Sequence, residues 1–307
     1  RLGTFMYGNA SPSFYLPSSG ELQNEVFARA NGMKLGDVAQ SMTIHDGTAY
    51  IVVNNSGIVF GIDPETFRIE RVIRGIGSPR YICFNDSVAY VTSLYEPRIA
   101  VVDVATAAVA DYIETPDHTS TEQMAIWGDT LYVSCWSYDD AVLMVDLTSG
   151  EVAGEIGVRS QPRQIALDGD GRLWVLTDGG YGEGSSPKPP ALYRIDAASG
   201  SIEREFVFRM GDTPRGLAVG AGGDTVYFLN GDVWRMDTDA EELPREPFIP
   251  ASNTIYYALG VDPRRGDIYV GDAIDYQQQG VVYRFSADGR GLDTLRVGII
   301  PTDFCFR

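Results

Sequence analysis

The sequence predicts an all-β fold: a single seven-bladed β-propeller with four antiparallel strands per blade. Three observations predict it. A strand centred on an aromatic residue recurs with a spacing in the low forties. A strand ending in aspartate follows most of these copies. The two chain ends carry complementary parts of one further copy. A period of this size, with several short strands per unit, is the sequence signature of propeller blades.

The best-formed copy runs from Ser160 to Thr177. It reads as strands over 164–167 and 172–177 joined by Asp168-Gly169-Asp170-Gly171. Asp-Gly supplies the positive φ of a tight hairpin turn. The aromatic of the second strand is Tyr50, Tyr90, Tyr132, Trp174, Tyr227 and Tyr269 in successive copies, in steps of 40, 42, 42, 53 and 42 residues. The third strand ends at Asp63, Asp103, Asp146, Asp196 and Asp237, with Ser286 in the sixth copy. Turns such as Asp146-Leu147-Thr148-Ser149-Gly150 follow. An aspartate there accepts from backbone N–H groups two residues on, and the glycine takes the left-handed position. These aspartates therefore read as turn formers rather than catalytic acids. Fourth strands are expected over 67–73, 108–114, 151–157 and 201–208.

The blades fall at about 38–77, 78–119, 120–160, 161–211, 212–252 and 253–298, with a seventh from 299–307 plus 1–32. In that seventh blade the tail 300–306 supplies the innermost strand. The head supplies strands over 2–8, 13–17 and 22–27. Closing a ring this way removes free sheet edges. One column of the innermost strand supports the alignment. It reads Thr43, Cys83, Ala125, Ala166, Ala218, Gly260 and Cys305, all small. The preceding column reads Met42, Ile82, Met124, Ile165, Leu217, Leu259 and Phe304, all large and apolar. Inner strands crowd near the axis, where a large side chain would overpack.

Length alone, at 307 residues, would suggest two domains, but the repeat overrides that prior. No apolar run approaches twenty residues, so no spanning helix is expected. The chain begins at Arg1, and the expectation is a mature segment whose targeting sequence has been removed. The net charge of −18 disfavours nucleic acid, which needs clustered Lys and Arg. It suits a soluble acidic exterior. Cys83, Cys135 and Cys305 are an odd, unspaced set, giving neither a disulfide framework nor a zinc pattern. His45 and His118 are far apart and read as turn or surface residues, so no metal site is expected.

In a propeller the loops between blades and the loops joining strands two and three share one face, around the central channel. That face is a natural concave site. One column at its mouth reads Gln40, Arg80, Glu122, Arg163, Arg215, Tyr257 and Thr302. Three arginines reverse the charge of an acidic protein locally. Around them the loops offer Tyr95, Trp136, Tyr138, Tyr181, Tyr256 and Tyr276. Tyr, Trp and Arg give large, stiff contact area with a polar tip, and they carry much of the energy of recognition surfaces. The candidate ligand-binding residues are therefore Arg80, Tyr95, Trp136, Tyr138, Arg163, Tyr181, Arg215, Tyr256, Tyr257 and Tyr276. The competing reading is that each Pro-Arg pair merely starts an inner strand and packs between blades. Other motifs are weaker. The glycines around Tyr181 have no following helix to present an N-terminus to phosphate. Asp168-Gly169-Asp170-Gly171 lacks the later bidentate glutamate of a calcium loop.

The repeat of Pro-Arg, aromatic-Val and a strand ending in Asp resembles the YVTN-type, or YncE-like, seven-bladed surface propellers across blades one to six. The run Gly36-Asp37-Val38-Ala39-Gln40-Ser41-Met42, followed by Tyr50-Ile51-Val52-Val53-Asn54-Asn55-Ser56-Gly57, resembles the surface-exposed propeller lipoproteins of gut Bacteroidetes. These include the BtuG-type cobalamin-binding proteins. The resemblance implies a non-catalytic protein, lipid-anchored on the outer face of the outer membrane through a segment upstream of Arg1. It would capture cobalamin or a related corrinoid for a TonB-dependent transporter. It implies no cofactor beyond that transported ligand, and a monomer when solubilised. A corrinoid is a broad plate with an apolar face and a rim of amides, which suits a funnel of tyrosine, asparagine and arginine. Two other classes stay open. One is a protein-interaction scaffold on the same face. The other is a propeller lyase or hydrolase, for which Glu122, Asp139, Asp140, Asp178, Asp272 and Asp275, with His118, are the available groups.

Overall fold

In the computed structural model, residues 3, 6–180, 187–251 and 254–307 are described. Six blades follow one another along the chain. Five are four-stranded antiparallel sheets and one, the fifth, has three strands. In each, the strands pair in chain order, so every connection is a hairpin. The first strands are Ala39–His45, Pro79–Asn85, Thr121–Trp127, Pro162–Leu167, Arg215–Val219 and Tyr256–Val261. Each touches the first strand of the next blade, so these strands form the inner ring.

The small column of the sequence has a direct physical reason. Thr43, Cys83, Ala125, Ala166, Ala218 and Gly260 stand opposite Tyr50, Tyr90, Tyr132, Trp174, Tyr227 and Tyr269 in the sheet register. A small residue facing each large ring keeps the layer between blades at constant thickness. The core lies in those layers. Apolar clusters span each joint, such as Tyr50, Val52 and Ile73 with Ile82, Val91 and Val102 between blades one and two. Seven such clusters are found among the described residues, and two of them tie the chain ends to blades one and six.

The hairpin at Asp168 forms as expected. Its carboxylate accepts from Asp170 N at 3.0 Å, Arg172 N at 2.9 Å and the buried Trp174 Nε1 at 2.9 Å. Gly169 and Gly223 of the neighbouring blade pass so closely that a Cβ on Gly223 would lie 2.8 Å from the Gly169 Cα. The strand-ending aspartates form the expected turns. Asp63 Oδ1 accepts from Glu65 N and Thr66 N at 2.8 and 2.7 Å. Asp146 and Asp196 do the same in their blades.

Two expectations are corrected. The fifth blade lacks a fourth strand. After Asp232–Asp237 the chain makes one isolated bridge, Val233 to Ile249. Pro244, Pro247 and Pro250 interrupt this stretch, and proline cannot donate to a ladder. The second correction concerns the chain ends. A seventh four-stranded blade is not formed among the described residues. Strands β1 (Phe14–Leu16) and β2 (Glu21–Gln23) make a two-stranded sheet, and the expected third strand over 22–27 turns into helix α1 (Val26–Asn31). Gly32 ends the helix at φ 65°, its N–H donating to Ala28 O, which is the usual glycine stop. The expected strand over 2–8 lies partly outside the described residues, and its described positions form no strand. The tail 299–307 is irregular.

This terminal sector nevertheless joins blade six to blade one. On one side Tyr15 donates to Asp293 at 2.8 Å and Asn24 to Arg296 O at 3.1 Å. On the other, Asn31 donates to Phe67 O at 2.8 Å and accepts from Ile69 N at 3.0 Å. The tail lies along the inner ring. Phe304 packs on Tyr269, and its Cβ would be 2.7 Å from a Cβ at Gly260. Asp303 Oδ2 accepts from Met42 N at 2.8 Å. Gln123 and Gln164 make the same link at other joints, accepting from Ile165 N at 3.0 Å and Leu217 N at 3.2 Å.

Candidate functional site

The mouth column has a common backbone origin. Every inner strand slips register near its start. Gln40, Arg163 and Tyr257 are each the extra residue of such a bulge. Arg80 and Glu122 lie within equivalent two-residue slips. A bulge leaves a residue out of the ladder and re-aims its side chain. Here it presents a side chain in five of the six blades, whereas Arg215 stays in register opposite Leu229.

Arg80 and Glu122 meet across the joint of blades two and three. Arg80 Nε and Nη2 donate to the two Glu122 oxygens at 2.6 and 2.5 Å, and Nη1 donates to Gln40 Oε1 at 2.9 Å. The Glu122 side chain is 0% exposed and that of Arg80 is 8% exposed. Arg80 therefore acts as a strut between three blades. Thr92 donates to Glu122 O at 2.7 Å, and Ser41 donates to Arg80 O at 2.8 Å. Tyr81 accepts from Gln40 Nε2 at 3.2 Å, and burial pushes its hydroxyl up to about 12.

Beyond this strut, guanidinium and ring pack in two groups at the mouth. Arg80 and Arg163 flank Trp136, with guanidinium carbons 5.7 and 5.3 Å from the ring centre. Arg215 lies 5.5 Å from Tyr257, which meets Tyr276 edge-on at 5.6 Å. Trp136 Nε1 donates to Asp178 Oδ2 at 3.0 Å. Burial raises the Asp178 carboxyl, and hydrogen bonds from Trp136 and Gly180 only partly offset that. Such cation–π contacts are worth about 0.5–2 kcal/mol, more as the pair loses water. A cavity of about 400 Å³ opens beside Arg163 and Arg215, bounded by Asp178, Lys188 and Met210.

The remaining predicted residues divide. Tyr95 and Tyr138 are 75% and 70% exposed, and Tyr276 is 41% exposed. Tyr256 is buried against Tyr283 in the joint between blades five and six, so it belongs to the core. Tyr181 lies outside the described residues. Gln40 and Asp178, placed at the mouth by the sequence but not among the binding candidates, are the partners of Arg80 and Trp136. The signal for the Arg80–Glu122 pair was opposite charge in one column of adjacent blades.

The acidic groups near the mouth are engaged in structure. Asp139 Oδ1 accepts from Asp140 N and Ala141 N, and its Oδ2 lies 2.8 Å from His118 Nδ1. Asp272 accepts from Ile274 N, and Asp275 from Gln277 N and Gln278 N. His118, expected as a turn or surface residue, closes a turn by donating its N–H to Thr115 O at 2.9 Å. It is half-buried between Asp139 and Glu155, and its donor atoms lie with those of Cys135 and Asp139 within 4.8 Å of one another. Burial pushes the Cys83 and Cys305 thiols up to about 11 and about 12, and raises Cys135 as well. All three are free thiols serving as packing groups.

Residues 3–297 match a family described as a domain of unknown function, DUF5074. This chain belongs to the DUF5074 family. No curated protein matches it. Among solved structures, the DUF5074 fold resembles hydrazine synthase of Kuenenia stuttgartiensis, at TM-score 0.73 and 17% identity, over 87% of this chain and 89% of that one. It also resembles a quinonprotein alcohol dehydrogenase-like protein of Bacteroides thetaiotaomicron, at TM-score 0.70 and 17% identity, over 94% and 74% of the two chains. At this identity the likeness concerns the propeller fold alone.

Proposed function

We propose that this DUF5074 propeller is a non-catalytic ligand-capture protein, with its site at the channel mouth. The single observation that carries the reading is the packing of guanidinium on ring at the mouth, Arg80 and Arg163 on Trp136, and Arg215 on Tyr257 with Tyr276 beside it. Rings held in place by cations give a stiff, flat, amphipathic wall that loses little entropy on binding. The ligand such a wall suits is broad and flat with polar edges. Together with the resemblance of 36–57 to BtuG-type lipoproteins, this makes cobalamin or a related corrinoid the proposed cargo. Capture at the outer surface and transfer to an outer-membrane TonB-dependent transporter complete the reading. Among the described residues no helix is long and apolar enough to cross a membrane.

The terminal sector takes the seventh position of the ring in this account. Asp303 supports that place, since it bonds to Met42 N as Gln123 and Gln164 bond across their own joints. The engagement of Asp139, Asp178, Asp272 and Asp275 in turns and loop contacts supports binding over hydrolysis. Gel filtration with cyanocobalamin tests the proposal. The expected result is co-elution of visible absorbance with the protein at micromolar concentration. Complete separation of the two would remove the corrinoid reading.

A further inference from the structure

Arginines that are at least partly buried in this protein have partners. Arg80 has Glu122, Arg159 has Glu205, and Arg284 has Asp267 and Asp293. Arg194 holds Glu203 and two backbone carbonyls, and Arg71 holds Val104 O. Arg98, Arg172 and Arg204 each face a carboxylate. Arg163 and Arg215 are the exceptions among the described residues. Both are half-buried, and each is held by a ring, Arg163 by Trp136 and Arg215 by Tyr257. Among the described residues neither donates to a carboxylate or a carbonyl, although the Asp178 charge acts on both through space.

The pair is not stranded at random. Both line the cavity of about 400 Å³ at the mouth, together with Lys188, Asp178 and Asp212. The two carboxylates are occupied: Asp178 by Trp136 Nε1 and Gly180 N, and Asp212 by Arg209 N at 2.9 Å. Among the described lining residues three cations stand against two carboxylates, in a chain whose net charge is −18. A guanidinium presents a planar fork of donors that matches an oxyanion. When it is out of bulk water with those donors unused, it lacks a partner that a ligand can supply.

We propose that Arg163 and Arg215 together receive an oxyanion, a phosphate ester or a carboxylate, carried by the ligand of the mouth. The proposal rests on the mouth being the ligand site. It adds that the cargo is an acid with a ring system, whose anionic group enters the cavity while its flat part lies on Trp136, Tyr257 and Tyr276. A neutral plate of the same size would bind more weakly.

Calorimetric titration with phenyl phosphate and with benzoate tests this. Both probes carry a ring and an oxyanion, and they separate the two chemical sources. The expected result is saturable binding of at least one probe. The double variant Arg163→Gln with Arg215→Gln should weaken it by at least about tenfold, the order expected for losing one charge-assisted hydrogen bond. Changing the exposed Arg68 and Arg74 to Gln, as a control for overall charge, should leave it within about twofold. As a measurement on the unaltered chain, whichever probe binds should shift two arginine Nε–H resonances, assigned by Arg163→Lys and Arg215→Lys. Equal affinity of the Gln double variant and the wild type, or no shift of those resonances, would overturn the proposal. A parallel titration with cyanocobalamin separates the two claims. Cyanocobalamin binding with no anion effect rejects only the arginine pair, and anion binding without cyanocobalamin rejects only the corrinoid.

Discussion

Glu122→Gln isolates the strut that joins the first three blades. The change keeps the shape of the side chain and removes its charge. Arg80, 8% exposed, then faces an amide in place of two carboxylate oxygens at 2.5 and 2.6 Å. Removing one partner of a buried pair costs about 3–5 kcal/mol, because the other charge stays uncompensated. The Trp136 ring at 5.7 Å and Gln40 Oε1 at 2.9 Å remain to hold the cation, and the ring is worth about 0.5–2 kcal/mol. The net expectation is a loss of about 2–4 kcal/mol. At no more than about 2–4 °C per kcal/mol, the slope for chains of roughly 150–250 residues, the melting temperature should fall by about 4–16 °C at most. Thermal unfolding followed by circular dichroism reads it. The paired change Arg80→Met with Glu122→Leu should recover most of the loss, since apolar replacement of a whole buried pair is often neutral. A Glu122→Gln protein within about 1 kcal/mol of wild type would refute the view that this pair is a desolvated joint.

Three further outcomes are expected. Asp168→Ala should lower stability by about 1–3 kcal/mol in urea unfolding, because it strands the indole N–H of the fully buried Trp174. Gly260→Val should destabilise by about 1–3 kcal/mol or more, since even a Cβ there meets Phe304 at 2.7 Å, and the tail should become accessible to carboxypeptidase. Asp303 is solvent-exposed beside the inner strand of blade one, and desolvation by the protein around it pushes its carboxyl up to about 6 from 3.8. A carboxyl raised in the folded state contributes stability that is full below about pH 4 and is lost as pH rises through about 6. Solvent screens the effect, so its slope should be below that of a full proton. Wild type minus Asp303→Asn, measured in urea between pH 4 and 7, should therefore decline with rising pH, and a flat difference would reject the assignment.

What was legible in the sequence follows from what the repeat encodes. The small column could be read because each of its members faces the repeat's own aromatic, as Ala166 faces Trp174. Turn aspartates such as Asp63 were legible because their bonds reach only two or three residues ahead. The missing strand of blade five had a signal in Pro244, Pro247 and Pro250. The terminal sector was harder. Its contacts, such as Tyr15 to Asp293, cross most of the chain, and no second copy of the sector exists to compare. At the mouth the structure brings Gln40, Arg80 and Glu122 of the column together. The sequence could not separate Arg80, paired with an acid one blade on, from Arg163 and Arg215, which form no ion pair among the described residues. Tyr256 and Tyr257 illustrate the same limit. They are adjacent, and the bulge sends one into the core and the other onto Arg215.

The central claim is that the ring-and-arginine mouth holds the cargo. Isothermal titration of cyanocobalamin into wild type and into Trp136→Ala tests it most directly. The account predicts one saturable site per chain, weakened at least about tenfold by losing the indole, consistent with roughly 2 kcal/mol for a binding aromatic. Saturable binding left unchanged in Trp136→Ala, or no heat with either protein, would contradict it.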